Sequence, residues 1–163
     1  MTSLNTQGAL PEATNTNNSF TSTQTLHVVQ GFYGLAGQLT ASTFPTALAA
    51  NASMTGKLSV SIDNTGNLAL AKGQKLTIQL VAIDQSDTSH RINIGAASTI
   101  TLSALAMHAT SSAFAVSRTL ATGLPAGDYR LGFVVTPTTA LAGVGGFVVS
   151  AKADGTFVPL AIT

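Results

Sequence analysis

A chain of 163 residues is long enough for one well-buried domain and leaves little room for a second. Seven Lys and Arg against six Asp and Glu give a net charge of +1, and the cations Lys57, Lys72, Lys75, Lys152, Arg91, Arg118 and Arg130 are scattered, which excludes the basic footprint of a nucleic-acid binder. Cysteine is absent, so neither a disulfide scaffold nor a thiolate metal site can form.

Only 8% of residues are charged while 45% are hydrophobic, and the mean hydropathy of +0.36 is high for a soluble monomer. Such a surface tolerates being covered by a neighbour. The longest apolar stretch, near Leu141–Val149, is broken by Gly143, Gly145 and Gly146, which argues against a membrane-spanning helix.

Residues 1–24 are Thr, Asn, Ser, Gln and Gly with almost no apolar content, the composition of an extended polar arm that becomes ordered only against something else. The opening Met1-Thr-Ser-Leu-Asn-Thr-Gln lacks the basic and apolar regions of a secretion signal, and is read as following a signal already removed, the alternative being a protein not secreted by that route. Residues 25–163 are expected to form a single β-domain, because apolar residues nowhere hold a helical period across ten positions.

In chain order, Leu26, Val28 and Val29 suggest an extra strand, and Tyr33 to Thr40 a glycine-containing edge strand ending before Phe44-Pro45. Leu58, Val60 and Ile62 alternate with Lys57, Ser59 and Ser61; Leu76, Ile78 and Leu80 alternate with Thr77, Gln79 and Val81. These read as central strands, separated by Asp63-Asn-Thr-Gly-Asn67, a loop at one end of a sandwich. Shorter strands follow at Ile92–Ile94, Thr99–Leu102 and Phe114–Val116.

The run Leu124-Pro-Ala-Gly-Asp-Tyr129 is a tight turn feeding a buried strand. Pro125 fixes φ, Gly127 supplies a positive φ, and Tyr129, Leu131, Phe133 and Val135 alternate with Arg130, Gly132 and Val134. A tyrosine there can bond backbone a few residues upstream, so Leu124, Gly127 and Tyr129 are read as a structural corner. Phe147–Ala151 and Phe157–Ile162 close the chain, with Asp154-Gly155 as a hairpin turn between them. Turn signals every 8 to 12 residues or so across about seven to nine strands predict an all-β, immunoglobulin-like Greek-key sandwich.

The order of these pieces resembles the CARDB domains, cell-adhesion-related modules of bacterial surface proteins within the immunoglobulin-like group. The resemblance is carried by Gly56–Asn67, by Lys75–Ile83 followed by Asp84 and Asp87, and by Leu124–Tyr129, and it spans about residues 35 to 150. It implies an extracellular, non-catalytic module that spaces, adheres or assembles. The chain departs from the family's pattern at Thr136-Pro-Thr-Thr-Ala-Leu141, where members often carry Asp and Asn, and this weakens any calcium role.

Candidate chemistry is sparse. His27, His90 and His108 fall in different strands or loops without His-x-His spacing, and read as surface or half-buried residues. No Gly-x-Ser-x-Gly elbow accompanies the many serines, and Gly143-Val-Gly-Gly146 lacks the Lys-Ser/Thr of a phosphate cradle. No catalytic residue, cofactor or firm metal site is expected. Asp63, Asp84 and Asp87 are the weak calcium candidates, since loops cluster at sandwich ends and hard cations want several oxygens. Asn17-Asn-Ser19 and Asn51-Ala-Ser53 have the form of glycosylation sequons. Phe32 and Tyr33, between Gly31 and Gly34, either anchor the first strand to the core or face outward as a contact patch for a glycan or protein.

The expectation from sequence is a non-enzymatic structural protein at a prokaryotic cell surface or outside the cell. It would self-assemble into a filament or matrix by strand pairing, as a homo-oligomer joined through the N-terminal arm and sheet edges. The alternatives are an adhesion or carbohydrate-binding accessory module of a larger secreted protein, and a virion capsid subunit.

Overall fold

A computed structural model describes residues 2–3, 19–20, 29–120, 123–138, 141 and 143–163. The chain divides into two units, residues 1–30 and 31–163. In the first, β1 (Thr2–Ser3) pairs antiparallel with β2 (Ser19–Phe20), so the arm expected to be extended contains a short strand pair. The strand suggested at Leu26 and Val28, and His27, lie outside the described residues.

The second unit is built from the alternating runs. Its strands are β3 (Leu35–Ser42), β4 (Ala47–Leu48), β5 (Met54–Asn64), β6 (Lys75–Asp84), β7 (Arg91–Asn93), β8 (Ser98–Thr101), β9 (Phe114–Leu120), β10 (Gly127–Pro137), β11 (Phe147–Val149) and β12 (Val158–Ile162). One sheet has the order β3-β5-β9; the other runs β4-β12-β10-β6-β7, with β8 also on β6 and β11 also on β10. The chain changes sheet between β3 and β4, β4 and β5, β5 and β6, β8 and β9, and β9 and β10. This puts β5 beside β9 in one layer and β6 beside β10 in the other, the Greek-key arrangement of an immunoglobulin-like sandwich.

Two edges are split strands. β7 and β8 take successive stretches of β6, interrupted at Gly95 with φ +66°. β11 and β12 likewise share β10: Leu131 pairs with Val158, but Phe133 pairs with Val149 where an unbroken register would give Thr156. Residues 150–157 are therefore an excursion from one long strand. Asp154-Gly155 does turn a small hairpin, closed by an Ala151–Phe157 bridge, but β11 and β12 pair with β10 and not with each other. The excursion also reaches the other sheet, where Leu39 N donates to Ala151 O at 2.8 Å.

Period-two patterning fills the space between layers. Leu58, Val60 and Ile62 from β5 face Leu76, Ile78 and Leu80 from β6 and Leu131, Phe133 and Val135 from β10, all fully buried. Burial of each such side chain contributes about 1.5–3 kcal/mol.

Candidate functional site

Three loops meet at one end of the sandwich, and a buried side chain holds them together. Asn64, the last residue of β5, is 1% exposed. Its Nδ2 donates to the carbonyls of Leu68 at 2.9 Å, Ala106 at 3.0 Å and Leu105 at 3.3 Å, and its Oδ1 accepts from Gly66 N at 3.1 Å. Nearby, Thr65 N donates to Gly34 O, and Asn67 Oδ1 accepts from Phe32 N at 2.7 Å. The loops at residues 31–34, 64–68 and 105–107 are thus pinned through their backbones, which leaves their side chains free to face outward.

Beside the exposed Thr65, three of those side chains are large and apolar. Phe32 is 51% exposed, Leu68 37% and Met107 55%. Large apolar groups held out by a tied base mark a contact surface more than a packing failure, because Phe32 N and Leu68 O are bonded and Met107 follows the bonded Leu105 and Ala106 carbonyls. Of the aromatic pair singled out in the sequence, Phe32 stands outward while Tyr33 is half-buried against the core. Leu68 and Met107 escaped sequence reading because a single apolar residue in a loop carries no period.

The acidic candidates are not brought together. Asp63 lies in β5 and accepts from Thr110 Oγ1 at 2.6 Å. Asp84 ends β6 in the other sheet, where its Oδ1 accepts from Ser86 N and Oγ at 2.8 and 2.7 Å. Asp87 does the same for Ser89 N and Oγ at 3.0 and 2.6 Å. Among the described residues no group of three or more His, Cys, Asp or Glu side chains is placed to hold a metal. His90 Nδ1 lies 3.8 Å from Asp84 Oδ2, and His108 occupies a turn with φ +57°. The Asn51 sequon position is exposed with φ +62°, and Asn17 lies outside the described residues.

These turns make a testable contribution to acid stability. The Ser86 hydroxyl and amide hold the Asp84 carboxyl below its ordinary 3.8; Ser89 does so for Asp87, and Thr156 for Asp154. A carboxyl depressed in the folded state stabilises above its unfolded pKa, and that stabilisation is lost as pH falls through the folded value. The urea midpoint should therefore stay level between about pH 8 and pH 5 and fall below about pH 4. A D84N/D87N/D154N variant should show a shallower acid limb; an unchanged limb would place the acid sensitivity elsewhere.

At the structural corner, Tyr129 is 3% exposed, and its hydroxyl donates to Pro125 O at 3.1 Å. Leu124 is buried, and Gly127 has φ +155°, a value that L side chains rarely adopt. Burial, with a smaller push from the Asp84 charge, raises the Tyr129 pKa above 10.0. Elsewhere, the Arg130 guanidinium stacks 4.6 Å over the ring of Phe157.

No family model matches the chain, and no curated protein matches it. Among solved structures it is similar to the CARDB domain of a Pyrococcus furiosus protein, solved in complex with di-metal ions. That likeness is at 14% identity over 88% of this chain and 100% of that chain, with a TM-score of 0.40. It is also similar to the C-terminal domain of Wzt, at 12% identity over 82% of this chain and 76% of that one, with a TM-score of 0.43. A third is a Listeria innocua β-glucosidase solved with isofagomine, at 14% identity and a TM-score of 0.38, covering 82% of this chain and 16% of the enzyme. The likeness to a CARDB domain accords with the resemblance read in the sequence, while the fold assignment rests on the strand pairing itself. Among the described residues no helix is long and apolar enough to cross a membrane.

Proposed function

We propose that the chain is a non-enzymatic adhesion-type module of a prokaryotic cell-surface or secreted protein, working through surface contacts. The observation that carries this reading is the loop end pinned by Asn64, where Phe32, Leu68 and Met107 are exposed. A flat phenyl ring, a thioether and a branched aliphatic group on loops tied at one end of the sandwich suit the apolar face of a sugar ring, so a glycan is the favoured partner. The low charge of the chain supports contact of this kind, since little must be desolvated when the surface is covered.

Binding of the full chain on a glycan array, followed by calorimetry on the best ligand, tests it. Saturable binding should weaken at least about tenfold, or roughly 1.4 kcal/mol, in a Phe32→Ala/Met107→Ala variant that keeps the wild-type melting temperature. A blank array, or binding indifferent to both substitutions, would remove the glycan reading. The second reading is self-assembly by strand pairing. It would use β9, whose seven residues are paired on one side only among the described residues, and would require Arg118 to release the Ser117 carbonyl on that edge.

A further inference from the structure

Among the described residues, the β9 edge is the longest on the smaller sheet to carry both unpaired backbone groups and no proline or glycine. Its orientation follows from two observations. Lys57, paired with Ser117, turns both its N–H and its C=O toward Thr43 on the far side of β5, at 2.9 and 2.8 Å. Lys57 and Ser117 therefore form a non-hydrogen-bonded pair, and Ser117, with Ala115 and Thr119, directs its backbone groups to the open edge. The Ser117 carbonyl accordingly meets a side chain there, accepting from Arg118 Nη1 at 2.8 Å.

The same guanidinium reaches the other sheet. Arg118 Nε donates to Ala96 O at 2.9 Å, and Nη2 donates to Ser98 Oγ. Gly95, with φ +66°, allows the approach: a Cβ there would stand 2.8 Å from Arg118 Cδ. Arg118 thus occupies the central acceptor of the edge while holding a positive charge over it. An incoming strand needs that acceptor, and taking it would displace the Nη1 bond and set the strand against a guanidinium held in place by Ala96 and Ser98. The other edges are handled differently. Leu39 N on β3 is taken by Ala151 O and the strand is bulged after Leu39; β12 is partly covered by β4, and the β7–β8 edge is broken at Gly95.

We infer that Arg118 is a guard on the β9 edge, and that the partner it excludes is β9 of a second copy of this chain. Antiparallel pairing about Ser117 would set Ala115 opposite the partner strand's Thr119, and the exposed side chains along this edge, Ala115, Ser117 and Thr119, are small enough to admit it. This holds whatever the loop end binds.

The test is sedimentation and light scattering of the full chain across a concentration series. Arg118→Ala, and Arg118→Gln as the variant that keeps the stem if alanine does not fold, should self-associate at about tenfold or more lower concentration than wild type. Ser117→Pro, which removes an outward N–H without touching the β5–β9 ladder, should be silent alone and should cancel the association when added to either variant. Unchanged association in both Arg118 variants would overturn the guard. So would association that survives Ser117→Pro, because it would arise at another surface.

Discussion

Substitution of Asn64 by aspartate should be among the most damaging single changes in this protein, costing about 3–5 kcal/mol at neutral pH. The amide donates to three carbonyls from two loops, and a carboxylate would face those same oxygens with negative charge and no solvent. Protonation relieves part of this, since a neutral carboxyl can donate once. The folded state therefore holds the substituted group above its unfolded pKa of about 3.9, so the damage grows as pH rises through and beyond that value. Urea denaturation of N64D should show a much smaller deficit near pH 4 than at pH 7. Asn64→Ala should cost about 2–4 kcal/mol without pH dependence, from carbonyls left unbonded and a small void. If N64D matches wild type at pH 7, the loop end is held by something other than this amide.

Tyr129 is the second. Tyr129→Ala should cost about 3–5 kcal/mol, because the ring is buried in the core and its removal leaves a cavity there. Tyr129→Phe separates packing from bonding: it removes only the hydroxyl donated to Pro125 O, and should cost about 0.5–1.5 kcal/mol. Because the folded state favours the neutral phenol, this contribution is complete below pH 10.0 and is lost as pH rises through the folded value. An alkaline limb seen in wild type should therefore be weaker in Tyr129→Phe. Equal losses in the two variants would mean that the hydroxyl, not the ring, carries the corner.

Much of the fold was legible because it is written locally. Alternation in Leu58–Ile62, Leu76–Leu80 and Tyr129–Val135 reports burial on one face, and Pro125 with Gly127 fixes the turn chemistry within four residues of the tyrosine. What escaped depends on partners distant in sequence. Asn64 has the composition of a loop former, and only residues 105 and 106, arriving from beyond β8, make it a buried tie. Arg118 looks like any exposed strand cation until Ala96 and Ser98 are brought beside it from the other sheet. Asp154-Gly155 signalled a turn correctly, but no local signal says that the strands on either side will line up along β10. Phe32 and Tyr33 are adjacent and similar in composition, so only the backbone direction at Asn67 separates the exposed ring from the half-buried one.

The excursion at residues 150–157 has a practical meaning for anyone altering this domain. Both halves of the interrupted strand are templated by β10, so their register is set without reference to the distance between them along the chain. The exposed tip at Ala153–Gly155 is therefore a place where length is free: an epitope, a protease site or new chain termini can be inserted there with both sheets still zipped on either side. The boundary of that freedom is Ala151, whose carbonyl is the stitch to Leu39.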